Sequence, residues 1–320
     1  MKTVILVALA ATTFSAAQAQ VNTLSLNQTG NGHQAAATQQ GAGNMGAISV
    51  GGTGNSTTLE QIGTSLRGSI VVAGNRNTAL VQANHYLNET TVRQVGDDNV
   101  GVAAATFLSD HNRVALQQYG TGNHGTVYTA DHSDDNQISA WQRGNGNTGD
   151  AYAAYHSTHN RITLNQSGDG NTASAIAYGS DRNQIGLTQT GDGNTGSAAV
   201  WSADRNQVSL YQSGDGNRGT MSANDGRDNY GSMVQAGNGN DATFSQAGSS
   251  NTATVRQTGD GNTLTNLEVD PNGRVRIRYL GAVQQGIGNT FTLTQTGDSN
   301  TLRFGQNGTN NVATVTQGAY

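Results

Sequence analysis

The sequence predicts an all-β fold, a β-solenoid of about 13 two-strand coils in cross-β stacking, each coil 22–24 residues long and made of 11-residue half-repeats. Three observations carry this expectation. Apolar and polar residues alternate over short runs, as where Ile185, Leu187 and Gln189 interleave with Gln184, Gly186 and Thr188, the period of a strand with one buried face. Turn text such as Thr190-Gly-Asp-Gly-Asn194 follows each run, and Gly191, Gly193 and Asn194 are expected to take the left-handed backbone that reverses the chain. Both features recur at fixed spacing from Asn22 to Tyr320, and a fixed period overrides a glycine-rich composition that would otherwise suggest disorder.

Taken in order, residues 1–19 stand outside the repeat. Lys2, the apolar run Val4 to Ala11 and the small-x-small Ala17-Gln18-Ala19 make a secretory signal peptide, and the run is shorter than the roughly 20 apolar residues that span a bilayer. The repeat domain is expected over 20–320. From Gln28, steps of 11 land on Gln39, Val50, Gln61, Val72, Ala83 and Gln94, and two places on they land on Gly30, Gly41, Gly52, Gly63, Gly74, His85 and Gly96. Prominent glutamines then fall 24 apart to Gln166 and 23 apart to Gln235, so half of each middle coil is one or two residues longer. The shorter spacing returns at Gln246 and Gln257 and closes the chain at Gln284, Gln295, Gln306 and Gln317. Only 263–283 leaves the period. There Leu267 and Val269, the turn Asp270-Pro-Asn-Gly273, then Val275, Ile277 and Tyr279 read as an inserted hairpin, with Arg274, Arg276 and Arg278 on one face as a lateral contact or a tolerated loop-out.

Projected inward, one half-coil reads Asn160, Ile162, Leu164, Gln166, Gly168, Asn171, and like falls on like one coil away. Neighbouring strands lie about 4.8 Å apart, a spacing at which one side-chain amide donates to the next. The amides expected to build such ladders, and so to direct assembly, are Gln94, Asn99, Gln118, Asn123, Gln142, Asn147, Gln166, Asn171, Gln189 and Asn194 in the first part of the stack. Gln212, Asn217, Gln235, Asn240, Gln257, Asn262, Gln284, Asn289, Gln306 and Asn311 continue them. Opposite, the small Ala173, Ala175, Ala177 and Gly196, Ala198, Val200 let the second strand approach closely. Asp169, Asp192 and Asp215 share a turn slot, and a column of like charge there opposes premature assembly.

Other patches have solvated readings beside functional ones. His111, Asp135 and His159, with His132 and His156 nearby, could ligate a metal but are ordinary turn residues, and neither a metal nor a cofactor is expected. Arg182 and Arg205 beside Asp181 and Asp204 read as exposed diagonal ion pairs, and Tyr119, Trp141, Trp201 and Tyr211 as outward aromatics. Cysteine is absent, so an exported chain holds together without disulfides. Lys2 is the only lysine, leaving 15 arginines against 21 acidic residues, which disfavours nucleic acid as a partner. No nucleophile elbow, zinc-protease helix or phosphate loop appears, and the chain is read as no enzyme.

The pattern Asn/Ser-x5-Gln-x-Gly-x2-Asn-x-Ala, closed in places by a second glutamine at Gln246, Gln295 and Gln317, resembles the curlin repeat of bacterial curli amyloid subunits over essentially the whole mature chain. The resemblance implies a secreted subunit of a Gram-negative bacterium that polymerises at the cell surface into biofilm-matrix fibres serving adhesion and colonisation. Its partners would be further copies of itself, other curli subunits and the curli secretion and nucleation machinery, with matrix polysaccharide or a host surface beyond them. A minor nucleating subunit and a monomeric solenoid adhesin are the alternatives. The end coils, including Val312 to Gln317, carry no helical or charged cap, which favours a fibre over an adhesin.

Overall fold

A computed structural model describes residues 21–266 and 282–318. Among these the chain forms twenty-six strands and no helix, so none is long and apolar enough to cross a membrane. Successive strands alternate between two sheets, and every pairing between named strands is parallel to the strand one coil away, with no change of register from coil to coil. The first sheet stacks thirteen strands, from Thr23–Asn31 to Val312–Gly318. In the second, Thr263–Asn266 and Ala282–Ile287 both join the strand Asp241–Ser249 and together fill one level. The result is a solenoid of twelve to thirteen coils.

Parallel pairing one coil apart puts identical slots on each other. Ile138 lies on Ile162, Ala140 on Leu164 and Gln142 on Gln166, and Ile162, Leu164 and Gln166 lie in turn on Ile185, Leu187 and Gln189. The strand's period of two then sends each column wholly inward or wholly outward. Ile138, Leu164, Ile185 and Leu187 are buried, as are Ala175, Ala177, Ala198 and Val200 from the facing sheet. Large residues thus meet small ones across a core one side chain thick. Where the facing column enlarges, aromatic rings fill the space: Phe244 stacks on Phe291 at 5.3 Å and 2°, and Phe291 on Phe304 at 3.7 Å.

The two turns differ. The one leaving the first sheet has Gly191 at φ +106° and Gly193 at +64°, whereas Asn194, expected to share this conformation, does not take it and turns its side chain inward. Glycine is required at the first of these positions by stacking as well as by torsion: a Cβ on Gly168 would lie 2.1 Å from the Gly191 carbonyl oxygen of the next coil. The returning turn is the longer one in the middle coils. It reaches left-handed backbone with non-glycine pairs, Phe107-Leu108, Asp131-His132 and Tyr155-His156, at φ between +55° and +63°. The hairpin expected over Leu267 to Tyr279 lies outside the described residues, as do residues 1–19, while Thr263–Asn266 and Ala282–Ile287 at its flanks are in register.

Gly168→Ala is expected to lower the thermal midpoint far more than Gly170→Ala. The second residue also has positive φ but faces open space, so it incurs only the roughly 1–2 kcal/mol of a left-handed side chain. Comparable midpoints for the two variants in a circular dichroism melt would refute the stacking constraint.

Candidate assembly site

Four inward amide columns run along the stack, a glutamine ladder on each sheet and an asparagine ladder at each turn. In the first sheet Gln94, Gln118, Gln142, Gln166, Gln189, Gln212, Gln235 and Gln257 form one unbroken ladder, each Nε2 donating to the Oε1 of the next coil at 2.8–3.0 Å. Gln257 donates onward to Gln295 and Gln295 to Gln317. The second hydrogen of each Nε2 goes across the coil to a backbone carbonyl of the facing strand, as from Gln118 to Val100 and from Gln166 to Thr148. These glutamines up to Gln295 are fully buried. A stacked column therefore satisfies both donors without water.

Gln284 and Gln306 do not belong to this column. They continue a second ladder on the other sheet, Gln246 to Gln284 to Gln306, of which Gln39 and Gln61 are an earlier fragment. Asn289 and Asn311 likewise lie on the corner column of Asn229 and Asn251, not on that of Asn99 to Asn262. The cause is the position of the interruption. It falls inside a second-sheet strand, so the 11-residue count resumes on that sheet and Gln284 completes the level that Thr263 began.

The asparagine ladders have the opposite polarity. Asn123 and Asn147 each donate backbone N–H and Nδ2–H to the Oδ1 of the preceding coil, at 3.0–3.1 Å, and Nδ2 also donates forward to a glycine carbonyl, Gly144 or Gly168, at 2.7 Å. Asn171, Asn194, Asn217, Asn240 and Asn262 repeat this bonding toward the preceding coil. Each asparagine thereby ties down the turn glycine of the next coil. On the returning turn the same pattern joins Asn112, Asn136, Asn160 and Asn183.

Polarity accounts for two of the buried atoms without a partner among the described residues. Gln94 Oε1 and Gln246 Oε1 belong to the first members of their ladders, where the preceding slot holds Val72 and Ala223. Glutamine also demands room opposite. A Cβ on Gly101, Gly149 or Gly196 would come within 2.8–3.0 Å of a ladder amide.

A serine column was not foreseen. Ser109, Ser133, Ser157 and Ser180 are buried in the longer turn, and the Oγ of each of the first three accepts the backbone N–H of the next serine at 3.1–3.2 Å. Their spacing of 24, 24 and 23 matches that of the glutamines and was the available signal.

Asp169, Asp192 and Asp215 do share an exposed column, and the column is bonded as well as like-charged. Asp169, Asp192 and Asp215 accept the backbone N–H of Asn145, Asp169 and Asp192 at 2.7–2.9 Å, and Asn238 takes the same role toward Asp215. Arg205 pairs with Asp228 one coil on, through Nε–Oδ1 at 2.8 Å and Nη2–Oδ2 at 2.9 Å, and not with Asp181 or Asp204 as the diagonal reading expected. Arg76 and Asp98 form the same fork. In each fork the guanidinium's hydrogen bonds hold the carboxyl below its ordinary range. His159 lies 3.7 Å from Asp135, and His132 stacks on His156 at 5.1 Å. Among the described residues no group of three metal-ligating side chains converges. Tyr119 and Trp141 lie 6.4 Å apart, and Tyr155, Tyr178 and Trp201 form a continuous outward stack.

Tyr128 and Tyr152 stack at 4.8 Å, and burial pushes the Tyr128 phenol up to about 12, with Tyr152 and Asp150 adding to it. Its neutral form is favoured by folding. That stability is whole below the ordinary tyrosine range near 10 and is lost as pH rises toward 12. Tyr128→Phe should remove the latest component of a phenolate absorbance titration, and an unchanged curve would refute the assignment. Gln166→Leu should cost about 1–3 kcal/mol for each buried polar atom it orphans, foremost Gln189 Oε1. Gln317→Leu, on a half-buried end residue, should cost much less, as thermal melts of the two would register.

Compared with known families, residues 226–259 match the Curlin associated repeat, a stretch holding Asn229, Gln235, Asn240, Gln246, Asn251 and Gln257. No curated protein matches the chain.

Proposed function

We propose that this chain, which carries the curlin repeat on a parallel β-solenoid, is a secreted, non-enzymatic structural subunit of curli-type fibres, stacking copy on copy to build biofilm matrix. The observation that carries the reading is the matching chemistry of the two edges of the described stack. At one edge Gln39 donates Nε2 into its own stack, to Gln61 Oε1, which leaves the Oε1 of Gln39 for a donor from outside, and Gln28 occupies the corresponding slot of the first sheet. At the other, Gln306 and Gln317 receive the last internal bonds on Oε1 and turn Nε2 outward. Leu26, Ala35 and Ala37 at the first edge, and Phe304, Ala313 and Val315 at the second, are only half-buried. Donors thus meet acceptors, and apolar meets apolar, when the second edge of one copy is laid on the first edge of another. The laddered glutamines and asparagines would carry assembly, and the partners are further copies, other subunits of the same kind and the machinery that exports and nucleates them.

The signal peptide over residues 1–19 supports export, and the repeat supports an extracellular fibre. Asp169, Asp192 and Asp215 would slow closure of the stack. Adjacent carboxylates one coil apart repel by about 1 kcal/mol in water, and their hydrogen bonds form only once the coils are in place.

The test is refolding of the mature chain from denaturant at micromolar concentration, followed by thioflavin T fluorescence and electron microscopy. Fibres are expected after a lag, seeding fresh protein and diffracting near about 4.7 Å. Growth without a lag would indicate a nucleating subunit. A β-rich monomer that persists for days would overturn the fibre reading in favour of an adhesin.

A further inference from the structure

Charge is partitioned around the coil and along it. On the outer face of the first sheet, Arg93, Arg113, Arg143 and Arg161 occupy four successive coils, interleaved with Tyr119 and Trp141, and Glu89 is the only acidic residue on that face among the described residues. Arg113 reaches Glu89 at 3.7 Å and Arg93 lies 5.9 Å over the Tyr119 ring, while Arg143 and Arg161 meet no carboxylate among the described residues. Apart from Asp97 in the coil of Arg93, the turn column that follows this sheet is acidic farther along the stack, at Asp169, Asp192, Asp215, Asp260 and Asp298. None of these five is ion-paired among the described residues. Each uses Oδ1 for the backbone N–H of the coil before it, which leaves Oδ2 for a cation from outside.

We infer that two copies of this chain pair side by side and antiparallel, the arginine face of each lying on the acidic turn column of the other. The offset of the two charge sets selects the direction. With the thirteen levels of the first sheet reversed about the middle one, the coil of Arg113 faces that of Asp215, the coil of Arg143 faces that of Asp192, and the coil of Arg161 faces that of Asp169. A parallel pair would set Arg113 against Thr121 and Arg143 against Asn145, both neutral, and would leave only Arg93 facing Asp97 and Arg161 facing Asp169. Both charge sets sit on the same interstrand repeat, so they come into step without adjustment, and a two-fold axis makes the contact twice. Arginine suits the role because its fork binds a carboxylate oxygen while its plane lies against an aromatic ring. The pairing needs only single solenoids, so it stands apart from edge-to-edge stacking and joins growing fibres laterally where stacking also occurs.

The test uses the mature chain and two triple variants, R113Q/R143Q/R161Q and D169N/D192N/D215N. Asparagine keeps the Oδ1 acceptor, as Asn145 and Asn238 already do in this column, so the stack is retained. Fibre width in electron micrographs, and the mass of unpolymerised protein in sedimentation, report pairing, whereas seeded elongation reports stacking. Wild type is expected as doubled fibres and as a dimer of the mature chain at low salt. It should separate near 1 M salt, where the screening length is about 3 Å. Each variant alone should give single width while still elongating, and a 1:1 mixture should recover part of the pairing, since one supplies the acids and the other the arginines. Unchanged width in the aspartate variant overturns the proposal. If wild type and that variant alike then retain alginate, and the arginine variant does not, the face belongs to an acidic polysaccharide. Loss of elongation with pairing intact would count against the stacking reading alone.

Discussion

A primary amide sealed away from water must find an acceptor and donors among protein groups, and in this molecule they are supplied by its own copy one coil away. That requirement governs the architecture. It demands parallel strands, because only they put Gln142 on Gln166 and Gln166 on Gln189. It fixes the register, since a slip of one residue would turn every glutamine outward and every threonine or serine in. It also constrains the turn leaving the first sheet, because the asparagine that closes it binds the carbonyl of a stacked glycine, and a side chain there would strike the next coil.

The ladders make the stack directional. Glutamine Nε2 points along the chain and asparagine Nδ2 back to the preceding Oδ1, so the two sets of amide dipoles oppose rather than add. A coil turned end for end would face donor to donor. The cost of this arrangement is visible at Gln94 and Gln246, whose unmatched oxygens lie beside Val72 and Ala223. The valines stand in consecutive coils, Val50 on Val72, so the column is interrupted in a block and its unmatched atoms stay few.

Much of this was legible in the sequence because each coil restates the same pattern. Thirteen copies of a weak strand signal fix class, coil length and inward face, and Gln142, Gln166 and Gln189 could be placed on one column by counting. Counting failed where the period was broken within a strand. Keeping Gln284, Gln306, Asn289 and Asn311 off the first columns requires knowing that Thr263 and Gln284 share a level, which only pairing reveals. Ser109, Ser133, Ser157 and Ser180 escaped notice because serine is common on the outer faces and carries no inward signature. The left-handed turns at Phe107-Leu108 and at Tyr155 defy residue preference, since the stacked backbone imposes them. The partner of Arg205 was misread because neighbours in sequence were preferred over Asp228, its neighbour in the stack.

Coil length varies from 22 to 24 to 23 and back to 22 residues along the chain, with the excess held in the turn that contains the serine column. A protein of near-identical repeats risks closing on the wrong neighbour, whether a distant coil of its own chain or a coil of another chain emerging beside it. Unequal circumferences work as a positional label. A 24-residue loop bulges over a 22-residue one and leaves Asn112 or Asn136 without the serine carbonyl it binds in its proper place. The interior of one chain is thereby a poor template for the ends of another, and the shorter coils at the two edges remain the pieces that fit each other.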